Sequence, residues 1–444
     1  MKSFGGEMAN KITFSKLTKF LYEIIPDLPD KRKGKNSTIE LSDIFLSAFS
    51  VFYTQSPSFL HYQKTMQESK GLNNATSLFG IKKIPSDNHI RTILDPIDPG
   101  VLYPIFGKVF SLLDNRKIIN EFRTIDNSLL IPLDGTWYFS SDKLSCKNCL
   151  TKKSKEGTVT YYHSAITPVI VSPDKNDVIS LAPEMIIPQD GAKKQDCEIN
   201  AGKRWIEKYG DFWNKQKSII LGDDLYSKEP FCMKVLEKGL HFIFVCKPDS
   251  HKYMYSWLND LEENKDYFVL KKKVWTGKRQ EVHSYKWANN IPIKEGGNVL
   301  DVNWCQIEIK KEDGRTVYKN AFITKIEITA ENVALIVKCG RSRWKIENEN
   351  NNTLKTKGYN LDHNFGHGSE YLSSVLLTLN LLSFLFHTIL SMECEKYQYL
   401  KKILPGRKTF FQDIRALTRY IYFTSWEQIL EFMIQGLEKK IEPG

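Results

Sequence analysis

Apolar residues recur at helical spacing through the first part of the chain. They do so in three segments, FSKLTKFLYEII, LSDIFLSAFSVFYTQ and GVLYPIFGKVFSLL, which are separated by turns rich in Pro, Lys and Gly. We therefore predict a helical domain over residues 1–125. Its segment KIPSDNHIRTILDPI begins with a capping Ser86 or Asp87 and carries His89 and Arg91. A short capped helix of this kind is typical of a helix-turn-helix DNA reader, and equally of an ordinary helical bundle.

From residue 128 the apolar pattern changes to that of strands. Three successive runs are rich in Ile, Val, Tyr and Thr: SLLIPLDGTWYFSS, TVTYYHSAITPVIVSP and DVISLAPEMIIP. A helix that we expect to end at Gly210 follows, and then come the strand SIILGDD, the helix EPFCMKVLEKG and the strand HFIFVCKP. The order β-β-β-α-β-α-β is the layout of an RNase H-like core. We predict this α/β fold, with a mixed five-stranded sheet and a further helix after it.

The rest of the chain divides into an insertion, the end of the core and a tail. Residues 250–328 return to a strand pattern and predict a β-rich insertion, so that the core comprises residues 126–249 and 329–392. Residues 393–444 form a helical C-terminal region. The uncharged stretch YLSSVLLTLNLLSFLFHTIL is long enough to cross a membrane, but its polar residues recur regularly beside an apolar face. We predict a buried amphipathic helix there, and no membrane partner.

One predicted helix, RSRWKIENENNNTLKTKG at residues 341–358, lacks the apolar stripe that a packed helix should have. Its four-residue repeat of polar side chains lies on one face of a regular helix and comprises Arg343, Glu347, Asn351 and Lys355. A carboxylate flanked by cations and an amide suits a helix that lies across a phosphate backbone. The alternative is a solvated helix stabilised by an Arg343–Glu347 ion pair.

Acidic residues stand in two predicted core strands, at or just past the middle of the first and at the end of the fourth. Asp134 falls in the apolar run LIPLDGTWYF, where an unpaired acid is costly, although Asp-Gly is also a common hairpin signal. Asp223 and Asp224 end SIILGDD, where ligands gather in α/β sheets; a helix N-cap is the alternative. An RNase H-like core would bring these strands together, and Glu347 fits as a third acid. Such an oxygen-rich site suits two Mg²⁺ or Mn²⁺ ions acting in phosphodiester cleavage.

The motifs LDGT around Asp134, LGDDLY around Asp223 and RSRWKIENENNNTLK around Glu347 resemble those of a known enzyme family. They are similar to bacterial insertion-sequence transposases of the DDE, RNase H-like (retroviral integrase) superfamily, in the subgroup with a β-strand insertion. The resemblance implies that these three acids are catalytic and bind the metal. It also implies a homodimer on double-stranded DNA, which cleaves transposon ends at terminal inverted repeats and joins them to a target. The family's Asp-x-x-aromatic signature favours Asp223, before Tyr226, over Asp224.

That subgroup carries Tyr, Arg, Glu and Lys on its last helix. Arg343 and Glu347 match this pattern, whereas the Tyr position falls on Gly340 and the Lys position on Leu354, one residue before Lys355. The side chains that we expect to contact DNA are Arg343, Trp344, Asn351 and Lys355. Trp137 or Trp344 would be placed to stack on an unpaired base.

Cysteine and histidine residues suggest a second kind of site. Cys146 and Cys149 in SCKNC have Cys-x2-Cys spacing, and a structural zinc ion would need two more ligands, for which His163 and Cys197 are nearest. The segment HNFGHG carries two further histidines, His363 and His367, on a predicted loop. We expect this loop near the acidic site, with a histidine contacting phosphate.

Charge and cysteine usage bear on partners and compartment. The net charge of +11 and the isoelectric point near 9.0 favour a polyanionic partner. Eight dispersed cysteines indicate a reducing compartment, and we expect a cytoplasmic, nucleoid-associated bacterial protein. Two alternatives to a transposase stay open. One is a domesticated DNA-binding protein without catalysis, and the other is a related nuclease that cuts DNA without joining it.

Overall fold

The computed structural model describes residues 12–32, 38–67, 74–188, 196–297 and 299–438, which form a mixed α/β fold around one continuous apolar core. The helices are α1 Phe14–Ile24, α2 Leu41–Tyr53, α3 Phe59–Gln67, α4 Asn74–Phe79, α5 Asp87–Leu94, α6 Pro104–Asn115, α7 Glu198–Lys215, α8 Glu229–Glu237, α9 Lys252–Glu263, α10 Val333–Arg341, α11 Asn352–Thr356, α12 Leu372–Glu393, α13 Glu395–Ile403, α14 Arg407–Tyr420 and α15 Trp426–Glu438. The strands are β1 Leu129–Pro132, β2 Gly135–Ser141, β3 Leu150–Lys153, β4 Val159–Ile166, β5 Val169–Ile170, β6 Ile179–Ser180, β7 Glu184–Ile186, β8 Ser218–Gly222, β9 His241–Val245, β10 Phe268–Trp275, β11 Gln280–Pro292, β12 Asp301–Lys311 and β13 Thr316–Thr324.

The main sheet has seven strands in the order β1-β8-β9-β13-β12-β11-β10. Its first three strands are parallel, and β13 pairs antiparallel with β9. The predicted five-stranded core sheet is wrong, because only β1, β8 and β9 of its strands lie in this sheet, which β10 to β13 extend beyond β9. The other predicted core strands lie in two smaller sheets. The strands predicted over residues 250–328 therefore share backbone hydrogen bonds with the strands that precede them.

The run SLLIPLDGTWYFSS is not one strand, because it breaks between β1 and β2. The Leu133 amide still donates to the Leu221 carbonyl at 2.9 Å, and the Asp134 carbonyl then accepts from the Thr167 amide at 3.3 Å. Beyond the break, β2 joins a second, four-stranded sheet by pairing with β4, which also pairs with β3 and β7. Asp134 thus lies where the chain leaves the main sheet for the smaller one.

The first helices of the chain pack against the long helix α12. The Phe49 and Phe386 rings lie 5.5 Å apart, and Tyr53 lies 4.4 Å from His387. Helix α5 begins at a Ser86 cap, whose hydroxyl accepts from the His89 amide. Arg91 on this helix donates to the Phe365 carbonyl at 2.9 Å, and its side chain stays 36% exposed.

Two predicted helix ends at glycine have different outcomes. Gly358 has φ +97 just after α11, which confirms it as a helix-terminating position. The predicted end at Gly210 is wrong, since α7 continues to Lys215. A Cβ at Gly210 would lie 2.8 Å from the Lys238 Cγ, so this glycine allows a side chain to approach the helix closely. It does not stop the helix.

The segment 341–358 is not the regular helix that was predicted. Helix α10 ends at Arg341, and a π-helical stretch, Ile346–Asn351, precedes α11. A π turn takes in more residues than an α turn, so the segment departs from regular helical spacing, although Arg343 and Glu347 still pair across four positions. Several members of the segment are also buried: Lys345, Ile346, Asn350, Asn351 and Leu354. The segment is polar partly because it makes buried hydrogen bonds, and not only because one face is exposed.

Helix α12 is surrounded by protein. It is the one helix in the described ranges that is long and apolar enough to cross a membrane, with a mean hydropathy of 1.8, and 94% of that stretch is buried in the fold. Its polar residues do not form a solvent-facing side. The Asn380 amide donates to the Tyr359 carbonyl at 3.0 Å, and His387 Nδ1 lies 2.7 Å from the Tyr359 hydroxyl.

Candidate active site

Asp134 and Asp223 follow the carboxyl ends of two neighbouring parallel strands. Strands β1 and β8 pair in a register that places Pro132 opposite Leu221, so each acid comes at the same distance beyond the paired positions. Parallel strands that end together bring the residues after them to one edge of the sheet. The acids predicted to face each other therefore do follow adjacent strands.

The structure separates the roles of Asp223 and Asp224. The Asp224 Oδ1 accepts hydrogen bonds from the Lys247 amide at 2.7 Å and from the Ser250 hydroxyl at 2.6 Å. This carboxylate holds the segment that follows β9. The Asp223 carboxylate accepts from the Leu225 amide at 2.9 Å, and burial together with nearby charges, that of Asp223 among them, raises the pKa of Asp134. Asp223 is therefore the one that belongs to the acidic group.

Glu198, the first residue of α7, is a member of this group that the sequence analysis missed. Its Oε1 accepts from the Gly135 amide at 3.1 Å and from the Tyr226 hydroxyl at 2.7 Å. A Cβ at position 135 would lie 2.6 Å from the Glu198 Oε2, so a side chain directly after Asp134 would displace the Glu198 carboxylate. The Asp-Gly pair is thus explained by close packing against Glu198 rather than by a two-residue hairpin. An acid in the first turn of a helix is common, and the sequence carries no other signal for it.

The pKa of Asp134 is strongly affected by its surroundings. Burial raises the pKa of this carboxyl to about 7, and the nearby negative charge of Glu198 adds to the effect. Glu347 and Asp223 act in the same direction, while the positive charge of Arg343 opposes them. Burial likewise raises the pKa of Glu198. Like charges held together in a partly buried place favour the protonated form or a bound cation.

Glu347 lies in the π-helical stretch and pairs with Arg343 at 2.5 Å. The Glu347 side chain is 46% exposed, whereas that of Arg343 is 18% exposed. The ion pair weighed as the alternative explanation of this segment is therefore present. Even in this ion pair, Glu347 is close enough to Asp134 to add to the effect of burial in raising the pKa of Asp134. Single π turns inside helices occur frequently at functional sites.

The Asn351 side chain points away from solvent and donates a hydrogen bond to the Asp134 carboxylate. Its Nδ2 donates to the Asp134 Oδ2 at 3.0 Å, and its Oδ1 accepts from the Thr167 hydroxyl at 2.8 Å. The neighbouring Asn350 also donates to the Asn351 Oδ1, at 3.0 Å. With 6% of its surface exposed, Asn351 is not placed to touch DNA as the sequence suggested. Its amide is fixed from both ends and holds Asp134 in place.

The other side chains expected on DNA are at the surface in varying degree. Trp344 is 42% exposed and Trp137 is 38% exposed, the latter stacked on Tyr162 with ring centroids 4.0 Å apart. Lys355 Nζ lies 3.6 Å from the Asp362 carboxylate, in a weak ion pair. Both tryptophans are accessible to a partner.

The expected Tyr, Arg, Glu and Lys pattern lacks its Tyr at Gly340 and its Lys at Leu354, and both departures have structural reasons. A Cβ at Gly340 would lie 2.7 Å from the Phe322 ring, so a tyrosine has no room at that position. Leu354 is fully buried, so a lysine there would have to bury its charge. The cation at the next position, Lys355, remains partly exposed.

Four cysteine and histidine side chains meet at a separate place. The ligand atoms of Cys146, Cys149, His163 and His367 all lie within 4.8 Å of one another. Within the described ranges this is the one group of three or more His, Cys, Asp or Glu residues that converges so closely, and the acids around Asp134 do not form such a group. The prediction of His163 as a partner of the two cysteines is confirmed. Cys197 is exposed at the start of α7 and is not a member. The fourth place belongs to His367, one of the two histidines of HNFGHG, from which the sequence predicted a phosphate contact.

No protein-family model matches the chain, and no curated protein matches it. Among solved structures, the chain is similar to a piggyBac transposase synaptic complex with hairpin DNA, determined by cryo-electron microscopy. The two are 10% identical with a TM-score of 0.40, over 97% of this chain and 83% of that one. A likeness this distant carries no argument, so function has to be inferred from the residues themselves.

Proposed function

We propose that the protein is a DNA transposase of the DDE type, from a bacterial insertion sequence, with an RNase H-like core. One observation carries the proposal: Asp134 and Asp223 follow paired parallel strands in matched register, and Glu347 from a later helix acts on the same carboxylate. Metal-assisted phosphodiester chemistry requires several acids from separate parts of a chain, and these three would have to draw closer together when they bind the ions.

The donor set fits a hard divalent cation. Its atoms are carboxylate oxygens, and the pKa of Asp134 is raised first by burial and then by neighbouring negative charges, both of which a bound cation would offset. Asp134, Asp223 and Glu347 would hold two Mg²⁺ or Mn²⁺ ions, with Glu198 beside them. When bound, such ions activate a nucleophilic water or hydroxyl and stabilise the leaving oxygen. For Glu347 to take this role, Arg343 would have to turn from the carboxylate to a phosphate oxygen.

The chain's own residues orient these groups and bind the substrate. Asn351 fixes one oxygen of Asp134 and leaves the other available. Arg343 and Lys355 would contact phosphates, while the exposed rings of Trp344 and Trp137 would be able to stack on unpaired bases. The excess of basic residues over the whole chain suits double-stranded DNA, both transposon ends and target.

The wider organisation belongs to the same proposal. The core would comprise residues 126–249 and 329–392, followed by the helical region 393–444. DNA would be bound around this core by the helical domain over residues 1–125 and the β-rich insertion over 250–328. We propose a homodimer that binds two terminal inverted repeats in the bacterial cytoplasm, at the nucleoid.

Cleavage and joining of DNA test the proposal. The purified chain is incubated with Mg²⁺, duplexes carrying the two ends of the DNA that flanks its gene, and a supercoiled target plasmid, beside an Asp134→Asn variant. We expect the wild type to cut the ends and join them to the plasmid, and the variant to bind the ends without cutting them. Cutting without joining would replace the transposase with a nuclease. Binding without cutting by the wild type would leave a DNA-binding protein that has lost catalysis.

A further inference from the structure

The four-residue cluster of Cys146, Cys149, His163 and His367, hereafter the Cys2His2 cluster, has no part in the chemistry proposed above. It joins three separate segments: the turn before β3 carries both cysteines, β4 carries His163, and the segment between α11 and α12 carries His367. We propose that this cluster binds one structural Zn²⁺ ion in tetrahedral geometry.

The distances between the side chains support this assignment. The two sulfur atoms lie 3.8 Å apart, and the His163 Nε2 lies 3.5 Å from each of them. The His367 Nε2 lies 3.2 Å from the Cys149 sulfur and 3.1 Å from the His163 Nε2. A tetrahedron with usual zinc bond lengths has edges of about 3.8 Å between sulfurs, about 3.5 Å from sulfur to nitrogen and about 3.3 Å between nitrogens. Five of the six edges lie within about 0.3 Å of these lengths, and the sixth, from Cys146 to His367, is within 4.8 Å.

The sulfur separation also excludes a disulfide in this conformation. A disulfide requires sulfur atoms about 2.05 Å apart. The two thiols instead point, together with both imidazole Nε2 atoms, at a common centre. Two cysteines and two histidines with a Cys-x2-Cys spacing form one of the usual ligand sets of structural zinc, and softer sulfur ligands disfavour Mg²⁺.

The surroundings indicate a closed site rather than a catalytic one. All four positions of the tetrahedron are filled by protein, which leaves no place for a reacting water. His163 is 2% exposed and Cys149 is 7% exposed. The His367 ring lies 4.5 Å from the Phe139 ring, which packs against the cluster.

Zinc at this cluster would fix a segment that has little regular structure of its own. Residues 359–371 form neither helix nor strand between α11 and α12. On one side Asp95 accepts from the amides of Ser369 at 2.9 Å and Glu370 at 3.0 Å. On the other side the cluster ties His367 to the sheet that contains β2 and β4. Since β2 begins directly after Asp134 and α11 follows the stretch carrying Glu347, the ion would cross-link the two halves of the acidic site.

Metal analysis of the full-length chain tests the proposal without any assay of DNA. The protein is purified without chelator and its metal content measured by mass spectrometry, for the wild type and for Cys149→Ser and His367→Gln. The matched controls are Cys197→Ser and His363→Gln, which alter a cysteine and a histidine outside the cluster. We expect about one zinc per chain in the wild type and both controls, and at least a tenfold lower content in the two cluster variants. No zinc in the wild type, or an unchanged content in the cluster variants, would overturn the proposal.

A second measurement covers the case in which the cluster variants fail to fold. Zinc in the wild type is exchanged for Co²⁺, whose absorption reports tetrahedral geometry and thiolate ligands directly. We expect thiolate-to-cobalt charge-transfer bands that vanish when Zn²⁺ is restored. Absence of these bands from a cobalt-loaded wild type would reject thiolate ligation. Because neither measurement depends on DNA cleavage, failure of the zinc site and failure of the transposase proposal are distinguishable.

Discussion

The side-chain amide of Asn351 donates to the Asp134 carboxylate at 3.0 Å, although the two residues are 217 positions apart in the chain. This bond connects the π-helical stretch that carries Glu347 to the point where the first strand leaves the main sheet. One oxygen of Asp134 is thereby fixed, and the direction of the other is set. The contact couples the geometry of two proposed metal ligands to a buried residue that is not itself one of those ligands.

Replacing Asn351 with alanine should change how Mg²⁺-dependent DNA cleavage varies with pH. A donor to a carboxylate stabilises its charged form, so losing the donor raises the pKa of Asp134 further. We expect the rising limb of the cleavage profile to move to higher pH and the maximum rate to fall about tenfold or more, since hydrogen bonds to charged groups contribute about 1.5–3 kcal/mol. Asn352→Ala is the control, because that exposed side chain bonds only Asn348 among the contacts seen. An unshifted profile in Asn351→Ala would contradict a positioning role.

The two adjacent aspartates after β8 should differ in effect. Asp223→Asn removes a proposed ligand, and we expect cleavage to fall by more than about a hundredfold, which is the upper range for losing an outer partner of a ligand. Asp224→Asn weakens the contacts to Lys247 and Ser250, so we expect lower thermal stability with cleavage largely retained at low temperature. The measurement is single-turnover cleavage of the end duplex beside thermal unfolding. Equal loss of cleavage in both variants would remove the distinction.

Many of the helices and strands of this protein were predictable from its sequence, because apolar periodicity reports which residues are buried. The strand that precedes Asp223 and the burial of α12 follow directly from such patterns, whereas the break between β1 and β2 at Asp134 does not. Glu198 was not predictable, since its role depends on a close approach to Gly135 that joins distant parts of the chain. His367 was missed for the same reason, because Cys197 is nearer to the two cysteines in spacing but not in space. The π turn at Glu347 leaves no mark in residue periodicity.

Glu198→Gln tests whether Glu198 would bind the metal or only affect Asp134 through its negative charge. Glutamine keeps an acceptor for the Gly135 amide and the Tyr226 hydroxyl but removes the negative charge. If Glu198 acts only through its charge on Asp134, the pKa of Asp134 falls and the cleavage profile extends to lower pH, with the maximum rate within about tenfold of the wild type. Tyr226→Phe, which removes one hydrogen bond and no charge, is the control. Loss of cleavage at every pH in Glu198→Gln would instead make Glu198 a ligand.

The raised pKa of Asp134 makes folding stability depend on pH. The folded protein holds this proton up to about pH 7, whereas the unfolded chain releases it near the usual value of about 4. Between these values the folded state binds more protons, so this carboxyl lowers stability as pH rises and has no further effect above pH 7. We expect Asp134→Asn to unfold near the wild-type temperature at pH 4 and at a higher temperature than the wild type at pH 8. The gain in the free energy of unfolding at pH 8 should be no more than about 4 kcal/mol.

Magnesium should cancel this difference, because a bound cation favours the charged carboxylate. Adding Mg²⁺ at pH 8 should raise the unfolding temperature of the wild type and leave that of Asp134→Asn nearly unchanged. Calorimetric scans at the two pH values, with and without the ion, provide the measurement. A wild type that gains stability relative to the variant as pH rises would show that the site does not accumulate negative charge.

Two lysines that contact the same turn should contribute very differently to stability. The buried Lys345 ammonium donates to the carbonyl oxygens of Ser172 at 2.7 Å and Pro173 at 3.1 Å, and also to that of Lys175. Lys338 makes an exposed ion pair with Asp174 at 2.7 Å. Lys345→Met leaves the carbonyls without this donor, and we expect the free energy of unfolding to fall by about 2–3 kcal/mol. Lys338→Met should cost less than about 1 kcal/mol, as exposed ion pairs do. Urea unfolding of both variants compares them directly, and similar losses would mean that the buried lysine does not hold this turn.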